Sequence, residues 1–433
     1  MKNNSLPRNI YKFYNINFLK NHHYSTTSTK KENVTSLGKY LKDSIKRSGP
    51  ITISKYMKEA LTNPLEGYYT KKGDVFGVKG DFTTSPEISQ MFGELIGIWF
   101  LTQWKSQGQP KNIQIVELGP GRGTLLDDIL RALSKFKECY NSITRVNLVE
   151  VSQEMRKIQY SKLCEKGNKQ DDRIEFNWYN SFEEIPDLWS MVIAHEFFDA
   201  LPIHRFEKTD NCWREYLVDV DETDFSEYHF KLILSSEPTD ASKQLKTNFS
   251  LSNSSFCPRP SSSTTKSALN FDKFKIGDKI EISPESFKTA KQISKYIGHN
   301  KGGAALLIDY GQDFIQGDTL RAIRNHKFIN PMSSPGEVDL SVDVNFQYLK
   351  EAIAIDNLVN CYGPIPQSKF LLSLGISLRL MVLLRNPNVS KDPILKNELL
   401  QSYKRLVDPL SMGNIYKALA ITPKSLSEKP FGF

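Results

Sequence analysis

"IQIVELGPGRGT", residues 113 to 124, runs from apolar residues through one carboxylate into three alternate glycines. Ile113, Ile115, Val116 and Leu118 form a short apolar run bounded by turn residues, the pattern of a buried parallel strand. From Thr124 the pattern changes: Leu125, Leu126, Ile129, Leu130, Leu133 and Phe136 recur at helical spacing. Strand, tight turn and helix together predict the opening of a doubly wound α/β fold.

The turn itself discriminates between ligands. A dinucleotide site wants G-x-G-x-x-G/A, whose third small residue lets the helix pack on the strand while a pyrophosphate sits at the helix N-terminus. Here the glycines are Gly119, Gly121 and Gly123, and the third dinucleotide position carries Thr124. S-adenosylmethionine has no phosphate and needs close backbone approach, which glycines permit. A second apolar segment, "RVNLVEV" at 145–151, places Glu150 at a strand tip, where a carboxylate can accept two hydrogen bonds from a ribose diol. Gly119 and Glu150 lie 31 positions apart, longer than the roughly 20 of dinucleotide sites. Both details favour the methyl donor, with an ordinary tight turn and a solvated Glu150 as the plain alternatives.

At 433 residues the chain can hold two or three domain-sized units. Its surplus of 8 basic residues is unevenly placed: 1–31 holds Lys2, Arg8, Lys12, Lys20, Lys30 and Lys31 and no acid, so the remainder carries +2. No nucleic-acid footprint is indicated. Residues 1–31 are basic, hydroxyl-rich and amphipathic, with Ile10, Phe13, Tyr14 and Phe18 on one helical face, the description of a mitochondrial transit peptide. The apolar run Leu371 to Leu384 is short and contains Arg379, which predicts a core helix and no membrane span. Five scattered cysteines without a CxxC, and seven histidines without metal spacing, predict neither a disulfide framework nor a metal site.

Along the chain, residues 32–110 read as a helical N-terminal region. It includes the loop "GDFTTSPE", in which Ser85 is the expected N-cap of a helix whose buried face is Ile88, Phe92, Leu95, Ile96 and Trp99. Thr84 and Ser85 are candidate cofactor-side residues of that loop; capping alone would explain Ser85 and Glu87, and turn formation Asp81. Residues 111–433 read as the catalytic domain. Its third strand lies near "RIEFNWYN" and its fourth in "MVIAHEFFDALP", where His195, Glu196 and Asp199 follow the apolar run. Ligands of open α/β sheets bind at the carboxyl ends of strands, so these three are candidate catalytic residues, with a packing turn of Phe197, Phe198 and Leu201 whose acids face water as the plain alternative. An insertion, 204–300, separates strands four and five. Within it 237–270 is expected to be a disordered loop, since 19 of its 34 residues are Ser, Thr, Pro or Asn. "GGAALLIDYG" supplies the fifth strand, ending in Asp309. Arg321, Arg324, Asp339 and Asp343 read as surface charges, with a place in the site as the alternative; two helices are expected near 368–384 and 394–406, and 408–422 contains a last strand.

Eight blocks together resemble the MidA-type methyltransferases, a family that includes a mitochondrial complex I assembly factor: "GDFTTSPEISQMFGEL", "VELGPGRGTLLDDILR", "VEVSQEMRKIQ", "AHEFFDALPIHRFEK", "GGAALLIDYG", "DTLRAIRNHKF", "PGEVDLSVDVNFQYL" and "MGNIYKALAI". They span about residues 67 to 420. The resemblance implies a seven-strand class I, Rossmann-like methyltransferase fold, S-adenosyl-L-methionine as donor, and a mitochondrial matrix role in complex I assembly. It further implies symmetric dimethylation of an arginine in a core subunit of that complex. Glu117, Gly119, Gly121 and Gly123 match the family's donor loop, Glu150 its ribose acid, and Glu196 and Asp199 its strand-four motif. His195 stands where bacterial members commonly have Asn. Two rival readings remain at this stage. One is a non-catalytic assembly chaperone with a methyltransferase fold; the other, an NAD(P)-dependent oxidoreductase, is disfavoured by Thr124 and the distance to Glu150.

Overall fold

The computed structural model describes residues 32–71, 84–165, 173–223, 226–248, 274–299 and 301–433. The leader 1–31, and Asp81 and Thr83 of the loop, lie outside the described residues. In chain order the elements that position the site are α1 (Ser36–Ser48), α2 (Ile53–Thr62), α3 (Gln90–Ser106), β1 (Ile113–Leu118), α4 (Thr124–Leu133), β2 (Ile143–Val149), α5 (Gln153–Cys164), β3 (Glu175–Tyr179) and β4 (Ser190–His195). After them come β5 (His204–Lys208), β6 (Trp213–Val220), β7 (Phe230–Leu234), β8 (Lys279–Ile282), α6 (Pro284–Gly298), β9 (Gly303–Gln312), β10 (Arg321–Arg324), β11 (Lys327–Ile329) and β12 (Asp339–Ser341). The chain closes with α7 (Phe346–Ala354), β13 (Val359–Pro366), α8 (Gln367–Ser373), α9 (Ile376–Leu384), α10 (Pro393–Val407) and β14 (Tyr416–Pro423).

The central sheet has the order β13-β14-β9-β4-β1-β2-β3. Its neighbours pair in parallel from β9 through β3, and only β14 runs antiparallel to both of its partners. This is the seven-strand class I methyltransferase arrangement. Residues of β1 and β4 are buried throughout, because helices cover both faces of a parallel sheet. On one face α3 lies against α4 at close range: a Cβ on Gly93 would stand 2.5 Å from Asp128 Cβ, and one on Gly97 3.1 Å from the Ile129 carbonyl. On the other face α6 and α7 pack through Phe287, Ala290, Ile293 and Leu349.

The inserted strands do more than decorate the sheet. β6 pairs with β5, β7 and the short stretch Ile51–Thr52, and β5 with β8, tying the N-terminal region to the insertion. A separate core holds Leu41, Tyr56, Met57 and Tyr68 from the N-terminal region with Val218 and Phe230 from the insertion and Leu340 from β12.

Three expectations are corrected, and one strand is added. The helix placed at Ser85 breaks in two, Ser85–Ile88 and α3; Ser89 caps α3 by accepting from the Met91 N–H, whereas Ser85 sits inside the first turn and caps nothing. Within 237–270, Asp240–Asn248 is helical and buries Leu245, while 249–270 lies outside the described residues. β13 was not anticipated because "VNCYGPIP" carries two prolines, which a sheet tolerates at an edge strand. Finally, Leu371 to Leu384 is no single core helix: α8 and α9 meet at a 63° bend, and Leu372, Leu378, Met381 and Val382 are exposed.

Candidate active site

A cavity of about 1850 Å³ opens at the carboxyl ends of β1, β2, β4 and β9. That exceeds the roughly 300 to 1,000 Å³ of small-molecule pockets and leaves room for a donor and a polypeptide side chain together. Glu117, Gly119, Gly121, Glu150, Thr84, His195, Glu196 and Asp199 all line it.

The turn after β1 is left-handed at all three glycines, with φ of +63° at Gly119, +51° at Gly121 and +80° at Gly123. L side chains rarely adopt such angles. A Cβ on Gly119 would also stand 3.1 Å from Phe197, and one on Gly123 3.2 Å from Leu163. Glu117 is buried at the end of β1, and its Oε2 has no hydrogen-bond partner among the described residues. Burial pushes that carboxyl well above its ordinary range. Such a group facing a cavity fits a ligand's cationic head.

Glu150 follows β2 directly. Its Oε1 accepts from the Ser152 N–H at 2.8 Å and its Oε2 from Gln159 Nε2 at 3.1 Å. Burial raises the carboxyl, and those two bonds oppose the shift. A carboxylate offers about four lone-pair sites, so two remain for a diol. Gln159, which sequence reasoning passed over, holds the arrangement together: Nε2 also donates to the Gly121 carbonyl at 2.7 Å, and Oε1 accepts from Trp178 Nε1 at 2.8 Å. Only its burial on α5 beside Met155 and Leu163 sets it apart, and that is visible only once the helix and the turn are brought together.

Ser85 does not line the cavity as Thr84 does; its buried hydroxyl has no partner among the described residues and its backbone N–H donates to Glu196 Oε1 at 3.4 Å. Glu87 turns out to bridge rather than merely cap: it accepts from Thr124 Oγ1 at 2.5 Å and lies 3.5 Å from Arg122 Nη1, joining the loop to the glycine turn.

At the end of β4, Glu196 adopts φ +50°, a left-handed conformation unusual for a residue with a side chain. Burial and the nearby Asp199 push its carboxyl up to about 8, against hydrogen bonds from the Ser85 N–H and the Tyr416 hydroxyl. Among the described residues neither lysine nor arginine forms an ion pair with it. His195 Nε2 lies 3.4 Å from Glu196 Oε1, but burial lowers the imidazole to about 3, so it is neutral and packs edge-on against Phe92.

Asp309, three residues before the end of β9 at Gln312, accepts on Oδ2 from three successive backbone N–H groups, those of Phe197 (3.2 Å), Phe198 (3.0 Å) and Asp199 (3.3 Å). That grip fixes the turn carrying Glu196 and Asp199. Burial, then Asp199 and Glu196, raise Asp309 well above the usual carboxylate range. Asp199 accepts from the Tyr310 hydroxyl, and its Oδ1 has no partner among the described residues. Arg321 stacks on Tyr310, 4.7 Å from the ring centre, and pairs with Asp343 at 2.7 Å. Burial disfavours its charge, but Asp343 and Tyr310 more than restore it. Tyr69 donates to Asp339 at 2.7 Å, on the strand paired with that of Arg321. Arg321, Asp339 and Asp343, read from sequence as surface charges, therefore line the cavity, whereas Arg324 pairs with Glu337.

Comparison with known proteins agrees with this geometry. The family described as "Putative S-adenosyl-L-methionine-dependent methyltransferase" matches residues 95–365. The protein "Protein arginine methyltransferase NDUFAF7, mitochondrial" of Homo sapiens is 38% identical over 418 residues, 93% of this chain and 87% of that one. The chain belongs to this methyltransferase family. The Drosophila melanogaster homologue of the same name is 36% identical over 408 residues, 90% of this chain and 86% of that one. A COG1565-superfamily crystal structure from Burkholderia thailandensis, bound to S-adenosyl-homocysteine, superposes with TM-score 0.72 at 21% identity, covering 92% of this chain and 94% of that one. The cofactor of this methyltransferase is S-adenosyl-L-methionine, and the glycine turn, orphaned Glu117 and half-occupied Glu150 fit it.

Proposed function

We propose that this methyltransferase acts in the mitochondrial matrix and dimethylates, symmetrically, an arginine in a core subunit of respiratory complex I, a step needed for assembly of that complex. The names of the mitochondrial arginine methyltransferases it resembles support this reading. The observation that carries it is the cluster of buried carboxyls, Glu196, Asp199 and Asp309, with Glu196 in no ion pair with lysine or arginine among the described residues. Carboxyls so placed are costly unless a cation arrives.

S-adenosylmethionine supplies an electrophilic methyl group when bound. Glu117 holds its cationic head, Gly119, Gly121 and Gly123 permit backbone approach, and Glu150 accepts from the ribose. Arginine needs help as a nucleophile, since its guanidinium stays protonated and its charge is delocalised. Glu196 accepts two N–H groups of that plane and so turns the remaining nitrogen toward the glycine turn. Asp199, steadied by Tyr310, takes up the proton that this nitrogen releases. Neutral His195 and Phe92 keep the wall beside Glu196 dry.

Since the Glu196 carboxyl is neutral below about 8 and ionised above it, kcat/KM for an arginine peptide is expected to rise with pH through about 8. A flat profile from pH 6.5 to 9, taken as roughly two units around that value, would contradict the clamp. The test of the function itself is mass spectrometry of complex I subunits from cells with and without the protein. Symmetric dimethylarginine that disappears with the protein is expected. Unchanged arginine methylation alongside an assembly defect would instead favour a non-catalytic chaperone.

A further inference from the structure

The segment from α8 through α10 leaves much of its apolar surface uncovered. In α9, Leu378, Met381 and Val382 share one helical face, with Leu378 65% and Val382 57% exposed, while only Ile376 and Leu380 of that helix are buried. Leu372 on α8 and Ile394, Leu395 and Leu400 on α10 extend the exposed set, Ile394 at 73%. α10 buries Leu406 alone. Groups of this size are unusual on a free surface and mark contact sites.

The charge around them is equally uneven. Residues 367–407 hold seven Lys or Arg against two Asp or Glu, a surplus of five. Residues 32–433 as a whole carry +2, so everything outside the segment nets −3. Arg379 is spoken for, since it pairs with the buried Glu94 at 2.7 Å and so pins α9 to α3. Lys369, Arg385, Lys391, Lys396 and Lys404 are exposed.

We infer that α8, α9 and the start of α10 form a docking face for an anionic phospholipid bilayer. Helices that set leucines and a methionine among lysines, bent instead of continuous, suit the headgroup boundary. Among the described residues no single helix is long and apolar enough to cross a membrane; the bent pair α8 and α9 is so only taken together, and it is held to the protein core by buried Phe370, Leu371, Ile376 and Leu380 and by the Arg379 ion pair, so the contact is interfacial. A second copy of the chain fits less well, because two such faces would bring like surpluses of charge together. The segment is inserted between two stretches of cavity wall, Pro366 before it and Asn414 to Lys417 after it. Docking would thus hold the acceptor cavity beside the membrane, where a substrate bound to that membrane is presented.

Cosedimentation of the full chain with phosphatidylcholine vesicles, with and without phosphatidylglycerol, tests this. Binding is expected only to the mixed vesicles, weakening about tenfold as salt screens the lysines. Leu378→Glu with Met381→Glu should reduce binding by at least about tenfold, the loss of two buried apolar side chains. Lys391→Glu with Lys396→Glu should do the same without touching an apolar residue. The basic leader is common to all of these chains, so the difference between them reports α9 and α10. Donor affinity, read by calorimetry, should be unchanged in both variants, which excludes misfolding. Equal sedimentation of variants and parent overturns the inference. So does ultracentrifugation showing a dimer that Leu378→Glu dissociates, which would assign the face to a second copy.

Discussion

Replacing Glu196 with Gln is expected to reduce arginine methylation by about a hundredfold or more while leaving donor affinity intact. Removing one partner of a buried, hydrogen-bonded charge pair costs roughly 2 to 5 kcal/mol, and here the missing charge is what receives the guanidinium. Gln keeps the shape but presents one acceptor and one donor, so a bidentate pair with arginine cannot form. The same substitution should make the protein more stable near neutral pH. In the folded chain the Glu196 carboxyl titrates at about 8, against 4.5 ordinarily. Between those values the folded state holds a proton that the unfolded state releases, and stability therefore falls as pH rises through that window. Gln carries no such liability. Activity lost with thermal stability gained, measured by turnover and melting on one preparation, distinguishes a functional carboxylate from one whose loss damages the fold. A Gln variant that melts lower, or methylates normally, removes Glu196 from the role.

Local chemistry was legible in the sequence; its assembly was not. Ile113 to Thr124 declared strand, turn and helix because period and glycine spacing are properties of neighbouring residues, and the left-handed angles at all three glycines follow from them. Glu150 and Glu196 were readable for a similar reason, since each closes an apolar run at the ligand-binding edge of a parallel sheet. Asp309 lies toward the same edge, although β9 runs on to Gln312, yet its grip on the three N–H groups after β4 joins residues some 110 positions apart and needs the strand pairing to be seen. Arg321 and Asp343 looked like surface charges because a Lys/Arg/Asp pattern in a turn-rich stretch carries no sign of which side faces a cavity. The Ser85 error is of another kind. Ser85 and Ser89 both precede helical turns, and only the break between Ile88 and Gln90 decides which hydroxyl caps α3. Hydrophobic content likewise misplaced α9, whose Leu378 and Val382 satisfy a core pattern yet are left exposed by the described residues.

Glu150→Ala is expected to weaken S-adenosylmethionine binding by on the order of a hundredfold or more, since two hydrogen bonds to a charged acceptor contribute about 1.5 to 3 kcal/mol each. The loss has a second source within the chain. Glu150 accepts from the Ser152 N–H and from Gln159 Nε2, and Gln159 in turn holds the Gly121 carbonyl, so truncation frees the side chain that links α5 to the glycine turn. The two contributions separate in a pair of variants. Gln159→Leu keeps the ribose acceptor and releases only the turn, so its affinity should fall by about tenfold or less, as one neutral hydrogen-bond network is lost. If donor binding in the two variants, measured by calorimetric titration, falls equally, Glu150 acts by bracing the turn and not by holding the ribose. If Glu150→Ala binds as tightly as the parent, the adenosyl group does not lie across the ends of β1 and β2, and the site has been placed on the wrong strands.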